Sequence, residues 1–183
     1  MSEYSRRFRK VAGQFTERVD AVPTDAWEHP APCEGWVARD VVRHLVEWIP
    51  SFLSNYAGLE LPALPSVDDD PVAAWRGLDD ALQSALDDPE VAGREFDMPM
   101  GRFSVEQAID QFGTNDLVIH IWDLARAAGL DETLDADEVH ALLVEMLPLD
   151  DGLRSSGHYG PRVEVPDDAD EQTQLIAFSG RRP

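Results

Sequence analysis

The sequence has one cysteine, one lysine and no long apolar run, and each shortage removes a class of explanation. Cys33 alone cannot close an internal disulfide, which agrees with a reducing compartment, and without a second cysteine there is no thiolate metal motif. Its plain reading is a small, half-buried residue ahead of a helix. No stretch approaches the roughly eighteen uninterrupted apolar residues of a membrane helix. The opening MSEYSRRFRK lacks the apolar segment of a secretory signal. The expectation is a cytoplasmic protein with no membrane partner. Positive charge is also scarce: fifteen Lys and Arg stand against thirty-six Asp and Glu, a formal charge of −21. Such a field repels phosphate backbones, so nucleic acid is not expected as a partner. The sequence also lacks a glycine-rich phosphate loop and a nucleophile elbow.

What remains is mostly helical pattern. The expectation is an all-α single domain over residues 1–183, with a bundle at about 1–146 and a tail at about 147–183. Phe8, Val11, Ala12, Phe15 and Val19 recur at helical spacing in a first helix from about Tyr4 to Val19. The proline-rich AVPTDAWEHPAPCEGW predicts an ordered loop anchored by Trp27 and Trp36. A second helix from about Val37 to Ala57 carries the stripe Val41, Val42, Leu45, Trp48, Ile49, Phe52, Leu53 and Tyr56, and Gly58 stops it. Asp70 caps a third helix, which starts on Pro71 and runs to about Asp87. VAGREFDMPMGRF suits an extended, hairpin-like link. Ser104 with Gln107 forms a capping box for a long fourth helix reaching Ala128, and Asp135 with Glu138 caps a fifth through Met146. The tail predicts a strand around Arg162 to Val165 and a short helix around Ala169 to Phe178.

The chemistry concentrates on the fourth helix. A wheel at 3.6 residues per turn puts Val105, Ile109, Phe112, Ile119 and Ala127 on one apolar arc, and Asp116, His120 and Asp123 fall inside it. Burying a carboxylate costs several kcal/mol unless it is paired, so a core face with three ionisable groups requires a partner. A bound cation is one solution. Asp116 and His120, four residues apart, lie one turn apart and can grip the same ion. His44, at the edge of the second helix's stripe, is the best third ligand. Two imidazoles and one carboxylate leave open positions, as in catalytic zinc sites and iron facial triads. The alternative without an ion is a buried Asp116–His120 pair, or a salt bridge of the Asp123–Arg43 type that fixes helix packing. For Asp123 the structural role comes first and support of a ligand second. His29 and His140 read as ordinary residues, and His158, in the glycine-flanked SSGHYGP, could fold over a bundle end towards a substrate.

Three segments together, PAPCEGWVARDVVRHLVEW, DLVIHIWDLARAAG and YGPRVEVPDDADEQTQLIAFSGRRP, resemble the actinobacterial branch of the DinB-like proteins. That branch is similar to the metal-binding N-terminal domain of mycothiol-dependent maleylpyruvate isomerase. The resemblance implies a four-helix bundle in up-down-down-up order with extra short C-terminal elements. It also implies a divalent metal on His44, Asp116 and His120, zinc first, with nickel or iron as alternatives. Where many DinB-like proteins place a second histidine this chain has Asp116, and the maleylpyruvate isomerases also carry a carboxylate there. Characterised relatives use a low-molecular-weight thiol such as mycothiol, so the implied partners are a thiol and a small-molecule electrophile, with a homodimer as a further expectation. The isomerase has an additional C-terminal domain that this short tail does not match, so the resemblance implies a transferase more readily than that isomerisation. A non-catalytic metal-stapled or stress-related module and a metal-free helical interaction protein are the competing expectations.

Overall fold

The computed structural model describes residues 1–155 and 160–183; His158 lies outside them. Helix α1 (Glu3–Ala21) begins where Ser2 Oγ accepts the Ser5 N–H at 3.1 Å, and it buries Phe8, Val11, Ala12, Phe15 and Val19. Helix α2 (Ala38–Ala57) opens with the Asp40 carboxylate accepting the Val37 N–H and closes at Gly58, whose φ of 57° suits glycine. Helix α3 (Pro71–Asp87) is capped by Asp70, whose carboxylate accepts the Ala73 N–H. A single turn, α4 (Pro89–Ala92), leads into an antiparallel hairpin of β1 (Glu95–Met98) and β2 (Gly101–Ser104), with Phe96 opposite Phe103. Ser104 and Gln107 then exchange capping bonds at the start of α5 (Val105–Ala108). The helix continues through a π-helical stretch, Ile109–Thr114, into α6 (Asn115–Ala128), which Gly129 ends at φ 68°. After it come α7 (Ala136–Met146), a 3₁₀ turn (Leu147–Leu149), α8 (Asp150–Ser155) and α9 (Glu171–Phe178).

Side-chain contacts fix the helix directions. Arg9 near the start of α1 pairs with Asp87 at the end of α3, and Asp20 at the end of α1 pairs with Arg76 near the start of α3, so these helices are antiparallel. Arg7 reaches Asn115 at the start of α6 while Arg18 reaches the Thr133 carbonyl beyond its end, so α1 and α6 are parallel. Cys33, just before α2, lies against Asp123 late in α6, and Ile49 lies against Gly113 just before α6, which makes α2 antiparallel to α6. The 58–70 connection returns along α3, where Leu64 and Pro65 crowd Gly77, and Arg39 at the start of α2 bonds the carbonyls of Val67 and Asp68. That return makes α2 and α3 parallel. The order is therefore up-down-down-up, with α1 and α2 each packed between α3 and α6.

One contiguous buried cluster runs from Phe8 to Phe178 and includes Trp75, Leu78, Leu82, Leu117 and Trp122. Each fully buried Leu or Phe contributes roughly 1.5–3 kcal/mol to folding. Trp75 also satisfies its indole N–H on Thr16 Oγ1 at 2.8 Å, and its ring meets Phe15 edge-on.

The structure corrects several expectations from the sequence. The fourth helix is not one regular α-helix. Its π-helical stretch carries an extra residue per turn, so Val105 and Ile109 do not share a 3.6-residue phase with Asp116 and His120. α6 itself is buried on nearly every side. Residues 162–165 form no strand: Val163 gives its N–H to the Ala177 carbonyl, and among the described residues no strand pairs with it. The tail helix starts at Glu171, on the cap of Asp170. Asp135 caps α7, but Glu138 does not close a box; Arg7 and Lys10 hold its carboxylate instead. Among the described residues no helix is long and apolar enough to cross a membrane.

Candidate metal centre

α2 and α6 run antiparallel side by side, and this brings His44 onto Asp116 and His120. His44 Nε2 lies 3.0 Å from Asp116 Oδ2, and His120 Nε2 lies 3.4 Å from Asp116 Oδ1. Each carboxylate oxygen therefore faces a different imidazole. The two rings meet edge to face with centroids 4.8 Å apart. All three sequence-predicted ligands converge: one ligand atom from each lies within 4.8 Å of the others. His120 is buried, at 4% exposure, whereas His44 and Asp116 keep 31% and 22%, so one side of the cluster reaches solvent.

Sequence reasoning missed several of the supports. Trp48, read only as a core or packing residue, donates its indole N–H to Asp116 Oδ2 at 3.0 Å. Trp36, read as a loop anchor, stacks on His120 and tilts against His44. Its place at the end of a proline-rich loop just before α2 was visible; its direction was not. Asp123, fully buried, accepts from or shares a proton with His120 Nδ1 at 2.9 Å. Its cation is not Arg43, which pairs with Asp40 and Asp68, but Arg181 from the C-terminal segment, whose Nη2 donates at 2.7 Å. Arg43 lies one turn before Glu47 on the exposed flank of α2 and is drawn to the 58–70 connection, whereas the tail folds back onto the buried carboxylate.

Electrostatics follow from this packing. Burial pushes Asp116 up, but the neighbouring His120 charge and the hydrogen bonds from His120 and His44 outweigh it and hold the carboxyl well below the usual range. Burial pulls His120 down; its attraction to Asp116 and bonds to Asp116 and Asp123 outweigh that and raise it to about 9. Burial also raises Asp123, and the bonds to His120 and Arg181 bring it below its ordinary value. Burial and the Asp123 charge push the Cys33 thiol up to about 12, so it is a poor thiolate.

The donor set fits a divalent ion. Asp123 occupies His120 Nδ1, leaving Nε2 for a metal, and His44 and Asp116 supply an imidazole and a carboxylate from the solvent side. Cys33, His120 and Asp123 form a second close group, but there Arg181 already occupies Asp123 and the thiol is hard to ionise. The first group is the better candidate. His29 is exposed, and His140 is an exposed partner of Glu171; neither joins the cluster.

Among curated proteins, two from Mycobacterium tuberculosis, of strains CDC 1551 and H37Rv and both described as uncharacterized, are 28% identical to this chain over 182 residues, covering 94% of it and 94% of each relative. No solved structure gives a significant match. A family model, the mycothiol maleylpyruvate isomerase N-terminal domain, matches residues 8–125, a span that holds His44, Asp116, His120 and Asp123. With that match over most of its length and an all-α, DinB-like bundle, the chain belongs to the mycothiol maleylpyruvate isomerase N-terminal domain family.

Proposed function

We propose that this protein is a divalent-metal-dependent enzyme that uses a low-molecular-weight thiol of the mycothiol type to attack a small electrophile, in a transfer or isomerisation. The observation that carries this reading is the convergence of His44, Asp116 and His120 from two antiparallel helices, with ligand atoms within 4.8 Å of one another and one side open to solvent. Family membership supports the thiol. His44, Asp116 and His120 would hold the metal, zinc first, with nickel or iron as alternatives. The bound ion would supply a Lewis acid that keeps a thiol as its nucleophilic thiolate.

The protein's own residues do the rest. Asp123 holds His120 Nδ1, so the imidazole presents Nε2. Trp48 steadies Asp116 through its indole N–H. Trp36 stacks on His120 and packs tilted against His44, which helps hold both imidazoles in place. With His44, Asp116 and His120 as its only protein ligands a bound ion would keep an open position for a thiol, which separates this reading from a structural, closed site. Incubation of the metal-loaded protein with mycothiol and a panel of electrophiles should convert an electrophile faster than a His44→Ala control, with the thiol consumed in a transfer and regenerated in an isomerisation. Equal rates of electrophile conversion would reject the enzyme.

One observation favours a metal-free helical interaction protein. His44, Trp48, Asp116, His120, Asp123 and Arg181 form a connected set of hydrogen bonds in which the protein's own cationic and polar groups face both carboxylates. Under that reading chelators leave the melting temperature unchanged and His120→Ala costs only packing and hydrogen bonds.

A further inference from the structure

We propose that Arg181 is a positioning residue for His120: by clamping Asp123 from the C-terminal segment, it fixes which imidazole nitrogen faces Asp116. The positioning claim stands on geometry in the protein alone, and only its metal readout rests on the proposed function. Asp123 is fully buried, and Arg181 grips both its oxygens, with Nε at 2.9 Å from Oδ1 and 3.1 Å from Oδ2 and Nη2 at 2.7 Å from Oδ2. A carboxylate held by a planar guanidinium fork cannot turn freely, so Oδ2 stays aimed at His120 Nδ1, 2.9 Å away. The other ring nitrogen then faces Asp116 Oδ1.

Arg181 is itself held. Its Nη1 donates to the Ser179 carbonyl, its Nη2 also lies 3.3 Å from Cys33 Sγ, and its backbone N–H bonds the Ile176 carbonyl. Gly180, at φ 88°, makes the turn after α9 that brings the guanidinium inward. A Cβ there would come within 3.2 Å of the Pro161 carbonyl oxygen. α9 anchors the segment through buried Leu175, Ile176 and Phe178. Among the described residues no other Arg or Lys side chain bonds Asp123. The family match ends at residue 125, so the residue that orients its buried histidine comes from outside the matched segment.

The test uses the full chain. In the metal-free protein, ¹⁵N-edited NMR of His120 should show a slowly exchanging Nδ1–H that Arg181→Met shifts or loses and Arg181→Lys restores in part. Competition titration with zinc should show affinity weakened roughly 10–100-fold in Arg181→Met and less in Arg181→Lys. Because Arg181 acts through Asp123, adding Arg181→Met to Asp123→Ala should weaken affinity no further, and this comparison decides the matter if Arg181→Met alone does not fold. An Arg181→Met protein with the wild-type Nδ1–H signal and zinc affinity overturns the proposal, as does a further loss in the double variant. If the wild type takes up no zinc, nickel or iron, the proposed function falls, and the Nδ1–H signal alone decides the positioning role: lost in Arg181→Met it stands, kept it is overturned.

Discussion

Asp123→Ala should be among the most damaging single substitutions in the chain, and the structure sets the size of the effect. The carboxylate is fully buried, accepts three bonds from Arg181 and one from His120, and lies 3.6 Å from Cys33 Sγ. Its removal leaves a guanidinium 14% exposed and an imidazole 4% exposed without their shared counter-charge. Breaking a buried pair from one side costs about 3–5 kcal/mol, because the surviving charge stays desolvated. For a chain of this length that corresponds to a melting temperature lower by roughly 6–20 °C. Urea unfolding of the metal-free protein at pH 7, followed by circular dichroism, measures it. Asp68→Ala is the control: Asp68 also pairs with an arginine, at 2.6 Å, but is 73% exposed, and its loss should be hard to detect. A loss below about 1 kcal/mol in Asp123→Ala would refute the reasoning, since a buried ion pair could not then be what holds Arg181 and His120.

Other outcomes follow from the same cluster. Because His120 is raised to about 9 against about 6.5 in an unfolded chain, it contributes stability that is fully present below about 6.5 and is lost as the pH rises through about 9. Urea midpoints of the metal-free protein should fall over that window, and a His120→Gln variant should lack that part of the decline. Cys33, with its thiol pushed up to about 12, should react with iodoacetamide at pH 8 more slowly than the unfolded chain by roughly a hundredfold or more, a difference that mass spectrometry of the alkylated protein would register. Trp75→Ala removes a fully buried ring and its bond to Thr16, and should lower stability by about 3–5 kcal/mol in the same urea assay.

Much of this was legible in the sequence because local rules and tertiary packing agree there. The helices starting at Ser2, Asp70 and Ser104 begin at side-chain caps, and those ending at Gly58 and Gly129 end at residues that tolerate a left-handed turn. That Asp116 and His120 meet His44 was legible because ionisable groups one turn apart among apolar neighbours require a partner and His44 sits at the edge of the facing helix's stripe. The π-helical stretch was not, because side-chain spacing through IDQFGT does not reveal a change in backbone hydrogen-bond pattern. The supports came from afar: Arg181 bonds a residue 58 positions earlier, and Trp36 and Trp48 point into the site only once α2 is docked. Chain spacing carries no such information. Arg43 was the nearer-looking cation for Asp123, and only the fold of the tail reveals that Arg181 takes its place.

The most direct test of the account is the metal content of tag-free protein, measured by elemental mass spectrometry for the wild type, His44→Ala and His120→Ala after reconstitution with zinc, nickel or iron. The account predicts near-stoichiometric metal in the wild type and its loss in both variants. A wild type that holds none of the three metals, or variants that hold as much as the wild type, would contradict it.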